Sequence, residues 1–189
     1  MKTKTIIAGF GGQGVLFLGD LIAYCAMKEG KYVTWVPSYG PESRGGTCNC
    51  QVIYADTPIG SPAIVHPDIL IVFNVPSLYK FLPRLKNKGI LFYDSFLIKK
   101  PSLREDIEDI KVIEVPAFQL SKMGNMVMMG AFIAVTKQIK LRTVYETLEE
   151  KLTGTKAKFI PINKEAIEQG IKYIEQKGGV VCGNSLIQV

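Results

Sequence analysis

The sequence is poor in the residues that bind metals and carry redox chemistry. Its 189 residues include four cysteines and one histidine, and no two cysteines have the Cys-x-x-Cys spacing. This excludes a zinc site of usual spacing, and also an iron–sulfur cluster held by four regularly spaced thiolates of this chain. We predict no metal site, and we interpret the cysteines as small buried apolar side chains: Cys25, Cys48, Cys50 and Cys182.

Long apolar runs and runs of one charge are also missing. No apolar stretch approaches the roughly 20 residues that a membrane span requires, and the N-terminal residues 1–4 have no signal-peptide pattern. Lys and Arg outnumber Asp and Glu by 23 to 17, but the bases are scattered singly or in pairs such as Lys99-Lys100. We therefore expect a cytoplasmic protein with no nucleic-acid partner and no membrane partner.

The order of apolar segments indicates an α/β fold. An apolar run, Thr5 to Gly9, is followed by a glycine-rich turn, an apolar helical stretch from Val15 to Met27 and a second apolar run, Tyr32 to Val36. Such a strand–turn–helix–strand unit is Rossmann-like and predicts a right-handed crossover between parallel strands. Lys28 and Gly30 are suited to end the helix, as a cation near the last carbonyls and a left-handed cap.

The rest of the chain continues the pattern. Apolar runs predict further strands over residues 47–54, 69–73, 90–93 and 112–115, and a helix from about Ser77 to Lys86. Capping boxes predict helices starting at Ser102 and Thr143, and cap residues predict helices starting at Asn125 and Asn163. The prediction is a single domain over residues 1–189: a three-layer, open, mainly parallel sheet with helices on both faces.

The turn between the first strand and helix has the sequence GFGGQG over residues 9–14, which fits G-x-G-x-x-G. Glycines let a ligand approach the backbone, and the amides at a helix N-terminus favour an anion. A dinucleotide also needs an acid at the end of the second strand, but residues 35–38 are Trp-Val-Pro-Ser. We therefore predict an anion-binding turn made by Gly11, Gly12, Gln13 and Gly14; close packing alone is the other interpretation of these glycines.

A second segment, YGPESRGG over residues 39–46, follows the next strand at the edge where α/β sheets bind ligands. The arginine suits a phosphate or a carboxylate. We predict that Tyr39, Arg44, Gly45 and Gly46 form a loop facing the glycine turn, and that Asn125 is a weaker third element. His66 precedes Pro67 and has no obvious acidic or nucleophilic partner, so we predict no catalytic residue in this chain.

Three motifs in order, GFGGQG, YGPESRGG and NMVMMG near residue 125, resemble the γ subunit of 2-oxoacid:ferredoxin oxidoreductases. The likeness runs from about residue 5 to residue 175. It implies a part in the oxidative decarboxylation of a 2-oxoacid with coenzyme A, giving acyl-CoA, CO2 and reduced ferredoxin. In this family pyruvate, 2-oxoglutarate and branched-chain oxoacids are substrates, and the motifs do not select among them.

The resemblance also implies partners. It predicts α, β and δ subunits, with ferredoxin reached through the complex. Thiamine diphosphate, Mg²⁺ and 4Fe–4S clusters are expected in those subunits and coenzyme A as co-substrate, while this chain supports the coenzyme A region and assembly. Two alternatives stay open: a free-standing dinucleotide-binding oxidoreductase, and an assembly module that binds no ligand.

Overall fold

The computed structural model describes residues 1–40, 46–99 and 110–177, and the backbone of residues 181–182. Its strands are β1 (Lys2–Phe10), β2 (Tyr32–Tyr39), β3 (Thr47–Ala55), β4 (Ile69–Val72), β5 (Ile90–Asp94), β6 (Lys111–Val115) and β7 (Val181–Cys182). Its α-helices are α1 (Val15–Lys28), α2 (Val75–Phe81), α3 (Ala117–Leu120), α4 (Gly124–Thr136), α5 (Leu141–Lys151) and α6 (Ile160–Gln176). A 3-10 helix, Leu82–Arg84, follows α2, and another, Gly154–Phe159, leads into α6.

The strands form one sheet in the order β2-β3-β1-β4-β5-β6-β7. Pairing is parallel from β1 through β4 and β5 to β6. It is antiparallel between β3 and both of its neighbours, and between β6 and β7. Five strands (β1, β2, β4, β5 and β6) therefore run in one direction, which confirms the predicted open, mainly parallel sheet.

The first strand–helix–strand unit differs from the prediction. β2 does not pair with β1, because β3 lies between them and runs antiparallel to both. Only residues 40–46 join β2 to β3, and parallel neighbours need a connection of a dozen or more residues, so these two strands form an antiparallel hairpin, which pairs with β1 through β3. Residues 47–54 are a strand as predicted, but they return as the second strand of an antiparallel pair.

Two apolar layers flank the sheet. One contains α1, α4, α5 and α6, packed on strand residues such as Ile7, Cys50 and Ile71. The other contains α2 and loop residues such as Ile64, packed on the alternate strand residues, among them Ile6 and Leu70. Successive residues of a strand point to opposite faces, so a continuous apolar run serves both layers. The predicted helices on both faces are confirmed.

The predicted asparagine caps are wrong. Helix α4 begins at Gly124, one residue before Asn125, and its first carbonyl acceptor is Met123, which receives the amides of residues 126 and 127. Helix α6 begins at Ile160, and the Nδ2 atom of Asn163 donates to the Phe159 carbonyl 2.6 Å away. Both asparagines lie inside the first turn and do not cap: the Asn163 side chain donates to the nearby Phe159 carbonyl, and the Asn125 side chain donates to the Gly14 carbonyl of the glycine turn.

The predicted capping box at Thr143 is also wrong. Helix α5 begins at Leu141, so Thr143 lies in its first turn and is buried. Its partner Glu146 pairs instead with Arg142, one helical turn away, at 2.8 Å. The Ser102 box lies outside the described residues, and the helix predicted from Ser77 begins at Val75, where Asn74 caps it.

Candidate functional site

The glycine turn lies where two neighbouring parallel strands send the chain to opposite faces of the sheet. β1 leads into α1 on one face, and the adjacent β4 leads into α2 on the other. The divergence leaves a crevice at the carboxyl ends of these strands, which is where open α/β sheets bind ligands. The turn, residues 10–14, forms one wall of this crevice.

The backbone of the turn depends on glycine. Gly12 has φ +96° and Gly14 has φ +73°, a region that residues with a side chain rarely adopt. A Cβ built on Gly12 would meet nothing within 4 Å, so the space above the turn is open. The amides of Gly12 and Gly14 donate to no acceptor among the described residues, and the first turn of α1 has no acidic side chain. The turn therefore presents amide donors and the positive end of a helix dipole.

Gln13 holds the turn in shape. The Phe10 amide donates to Gln13 Oε1 at 2.6 Å, and Gln13 Nε2 donates to the Phe73 carbonyl at 3.3 Å. The side chain thus ties the entry of α1 to the end of β4. Both polar ends of the Gln13 amide are engaged within the protein, so Gln13 acts on the predicted site as a positioning residue.

Asn125 reaches the turn from a different part of the chain. Its Nδ2 atom donates to the Gly14 carbonyl at 3.4 Å. A Cβ on Gly14 would lie 2.3 Å from that same nitrogen, so glycine at 14 is required by contact as well as by φ. The structure thus joins the first and third predicted elements of the site.

The second predicted element lies partly outside the described residues, which leave out Arg44 and Gly45. Gly46 and Tyr39 are described. The Gly11 amide donates to the Gly46 carbonyl at 3.0 Å, which joins the end of this loop to the glycine turn. Tyr39, at the end of β2, is 73% exposed.

Two polar residues that the sequence interpretation missed lie at the same edge. Asn74 follows β4 and is buried; its Oδ1 accepts from the Ser77 amide at 2.7 Å, while its Nδ2 has no partner among the described residues. Asp94 ends β5 and is fully buried. The sequence signal for both was a polar residue directly after an apolar strand.

The carboxylate of Asp94 organises the neighbouring loops. It accepts hydrogen bonds from the amides of Phe96 at 2.8 Å, Leu97 at 3.2 Å and Phe118 at 3.0 Å. Burial raises its pKa above the usual value, and the three amides partly offset this. Because Phe118 packs edge-on against Phe73 at 5.9 Å, Asp94 fixes the segment that runs from β6 to α4.

The described cysteines do not suit an iron–sulfur cluster. Cys25, Cys48 and Cys50 are all buried, as predicted. Burial raises the pKa of Cys25 to about 11 and that of Cys50 to about 12, and it also raises the pKa of Cys48. In the part of the chain that the structure describes, no three cysteine, histidine or acidic side chains are grouped so that they could hold a metal ion. The Cys182 side chain lies outside the described residues.

A dinucleotide does not suit the site either. The end of β2, where a ribose-binding acid would lie, carries Tyr39 and is separated from β1 by β3. The arrangement instead offers donors for a phosphate or carboxylate without a ribose acceptor. Within the described ranges, no helix has the length and apolar character needed to cross a bilayer.

Fold and site together define an α/β domain with a glycine turn at its topological switch point. The chain belongs to the pyruvate ferredoxin/flavodoxin oxidoreductase family, whose sequence profile matches residues 4–173. This confirms the family resemblance given by the three motifs.

Two curated relatives show that the domain occurs in two contexts. The chain is 36% identical over 176 residues to ketoisovalerate oxidoreductase subunit VorA of Methanothermobacter marburgensis, covering 89% of this chain but 36% of that protein. It is 31% identical over 186 residues to 2-oxoglutarate synthase subunit KorC of the same organism, covering 91% of this chain and 100% of that one. The chain thus spans about a third of the first relative and all of the second.

A solved structure shares the fold. The 2-oxoglutarate:ferredoxin oxidoreductase from Magnetococcus marinus, solved with 2-oxoglutarate, coenzyme A and succinyl-CoA bound, aligns with a TM-score of 0.79 and 23% identity. The alignment covers 93% of this chain and 31% of that one. It confirms the predicted α/β architecture.

Proposed function

We propose that this chain is the γ subunit of a multi-subunit 2-oxoacid:ferredoxin oxidoreductase that forms acyl-CoA, CO2 and reduced ferredoxin. Family membership supports the reaction class. The match to a relative along that relative's whole length supports a separate subunit. Relatives named for ketoisovalerate and for 2-oxoglutarate both match, so we propose the 2-oxoacid class without choosing a member.

Within the complex, we propose that the glycine turn binds a phosphate of coenzyme A. The observation that carries this is the glycine turn at the start of α1, where the Gly12 and Gly14 amides have no acceptor among the described residues and the space beside Gly12 is open. An anion at a helix N-terminus gains about 0.3–1 kcal/mol when exposed and up to about 2 kcal/mol when partly buried. Tyr39, Arg44, Gly45 and Gly46 would complete the site from the facing loop, and Asn125 would position Gly14.

The decarboxylation chemistry belongs to partner subunits in this proposal. Among the described residues, no three cysteine, histidine or acidic side chains are grouped so that they could hold a metal ion, and no thiamine-binding motif is found in the sequence. We therefore assign thiamine diphosphate, Mg²⁺ and 4Fe–4S clusters to α, β and δ subunits, and electron transfer to ferredoxin through the assembled complex.

Two glycines that flank α1 give a matched test. Gly12 and Gly30 flank the helix, both with positive φ (+96° and +81°), and a Cβ on either would meet nothing within 4 Å. Each alanine variant carries a similar backbone strain of about 1–2 kcal/mol. Only the Gly12 methyl group would occupy the space above the turn.

The measurement is coenzyme A-dependent reduction of a viologen dye by the complex reconstituted with wild type, Gly12→Ala or Gly30→Ala. We expect Gly12→Ala to raise the KM for coenzyme A about tenfold or more, and Gly30→Ala to leave it within about twofold. Equal KM values in both variants would contradict the coenzyme A role. Turnover by the isolated chain, without other subunits, would contradict the subunit assignment.

A further inference from the structure

The glycine turn is held by residues from two different elements. Gln13 Nε2 donates to the Phe73 carbonyl, directly after β4, at 3.3 Å. Asn125 Nδ2, in the first turn of α4, donates to the Gly14 carbonyl at 3.4 Å. The arrangement of the turn therefore depends on where the end of β4 and the start of α4 lie relative to each other.

Phe118 contacts both of these supports. Its ring packs edge-on against the Phe73 ring, with the centroids 5.9 Å apart and the planes at 75°, an arrangement that aromatic pairs favour. The same ring lies against Gly124, because a Cβ built on Gly124 would be 2.6 Å from two of its carbons. Gly124 directly precedes Asn125. Since close-packed interiors transmit small displacements, the ring sets the spacing between the two supports.

The backbone of Phe118 is fixed by Asp94. The carboxylate accepts from the Phe118 amide at 3.0 Å, and from the amides of Phe96 and Leu97 at 2.8 and 3.2 Å. Asp94 is fully buried, and among the described residues no Lys or Arg forms an ion pair with it. Burying a carboxylate costs free energy of folding. Because its bonds go to the backbone of two loops, we interpret Asp94 as a residue that positions these loops.

Neither side chain is suited to bind an anion directly. The Phe118 side chain is apolar, and both oxygens of Asp94 accept hydrogen bonds from backbone amides. The negative charge of a carboxylate would also repel a phosphate. An influence of these two residues on an anion at the turn therefore acts through the position of the turn.

We propose that Phe118, held by Asp94, is a positioning residue for the glycine turn and keeps the Gly12 and Gly14 amides in the arrangement that binds a phosphate of coenzyme A. The inference rests on the proposed function, since it concerns the same site. It extends that site to the segment between β6 and α4, which reaches the turn through Phe73 and Gly124.

A second aromatic pair provides a matched control for the test. Phe132 of α4 packs against Phe92 of β5, with centroids 6.1 Å apart, in the same apolar layer. Phe132 is fully buried, whereas Phe118 is half-buried. Phe132→Leu should therefore lower the melting temperature at least as much as Phe118→Leu does. An effect that merely follows stability would be at least as large in the control.

The measurement is viologen reduction by the complex reconstituted with wild type, Phe118→Leu or Phe132→Leu. The KM for coenzyme A is compared with the KM for ketoisovalerate or 2-oxoglutarate, whichever the complex oxidises. We expect Phe118→Leu to raise the KM for coenzyme A about fivefold or more, because a displacement of about 1 Å in a binding site can cost on the order of 100-fold in rate. The KM for the 2-oxoacid should stay within about twofold, and Phe132→Leu should leave both values within about twofold.

Gly124→Ala tests the same contact from its other side, because the added methyl group would displace the Phe118 ring. It should also raise the KM for coenzyme A selectively, and it decides the question if Phe118→Leu does not fold. Equal KM values for coenzyme A in Phe118→Leu and Phe132→Leu would overturn the inference. So would a rise in both KM values together in Phe118→Leu.

Gly12→Ala separates this inference from the proposed function. If Gly12→Ala raises the KM for coenzyme A and Phe118→Leu does not, the inference fails and the coenzyme A role of the turn stands. If neither variant raises it, the coenzyme A role fails, and the inference fails with it.

Discussion

Replacing Gly130 by alanine should destabilise the protein, although alanine is the better helix former. Gly130 lies in the middle of α4, and a Cβ there would be 2.0 Å from the Ile167 carbonyl oxygen of α6. The contact is reciprocal, because a Cβ on Gly170 of α6 would be 2.0 Å from the Val127 carbonyl oxygen of α4. Both obstacles are backbone atoms, so no rotamer change can relieve them.

The magnitude follows from the displacement required. The two helices must separate by about 1 Å before the Cβ reaches even a tight contact, and a radial gap of 0.5–1 Å removes a quarter to a half of a dispersion contact. Overpacking of this kind costs about 1–3 kcal/mol. Helix propensity opposes the cost by at most about 1 kcal/mol. We expect a net loss near 2 kcal/mol, which lowers the melting temperature of a chain of this length by roughly 4–8 °C.

Thermal and urea unfolding of three variants measures the effect. Gly60→Ala is the control, since a Cβ at Gly60 meets nothing within 4 Å and the backbone there has no positive φ. Gly130→Ala and Gly170→Ala should each be destabilising. The double variant should lose less free energy of unfolding than the sum of the two single losses, because one separation of the helices relieves both contacts. A Gly130→Ala variant that melts at or above the wild-type temperature would refute the close helix contact.

Three further predictions concern other parts of the molecule. The dissociation constant of the isolated chain for NAD should be about 1 mM or higher, because Tyr39 and β3 occupy the place of a ribose-binding acid. A micromolar dissociation constant measured by calorimetry would favour the dinucleotide alternative. In the Cys182→Ser variant, iodoacetamide at pH 8 should alkylate the native chain at least about 100-fold more slowly than the urea-unfolded chain. The reason is that burial raises the pKa of Cys25 to about 11 and that of Cys50 to about 12. Native and unfolded chains alkylated at similar rates would contradict this. Burial raises the pKa of Asp94 in the folded state, so the folded chain holds that proton more tightly than the unfolded chain, and the free energy of unfolding should fall as pH rises above the usual aspartate value of 3.8. The Asp94→Asn variant should show a smaller fall in the free energy of unfolding between pH 4.5 and pH 7, as measured by urea titration. The same fall in wild type and variant would contradict this.

The strands could be predicted from the sequence because each buried strand is a short, continuous apolar run. In β4 all four residues are buried, because its odd-numbered residues pack in one apolar layer and its even-numbered residues pack in the other. The pairing of β2 could not be predicted from composition. Strand direction depends on the length of the connection, and residues 40–46 are too few for a parallel crossover.

The candidate site was predicted in part. The glycine turn follows from local glycine chemistry, which a sequence shows directly, whereas its bond to Gly46 joins residues far apart in the chain and depends on the tertiary fold. The helix starts at Asn125 and Asn163 were misplaced because an asparagine inside a first turn has other acceptors: Asn163 donates to the nearby Phe159 carbonyl, and Asn125 donates to the distant Gly14 carbonyl. Asn74 was missed because its burial depends on the tertiary packing of α2.

In the hairpin of β2 and β3, the connection between the strands can vary in sequence and length, whereas the parallel strands and α1 form the fold. Residues 40–46 form the connection at its tip, and a backbone bond from the Gly11 amide to the Gly46 carbonyl joins the end of this connection to the glycine turn. Lengthening a surface connection changes loop entropy only slowly with its length. Insertions at this tip can therefore reshape one wall of the crevice while the parallel strands and α1 stay unchanged. One scaffold can in this way acquire a new ligand preference through the length and sequence of one connection.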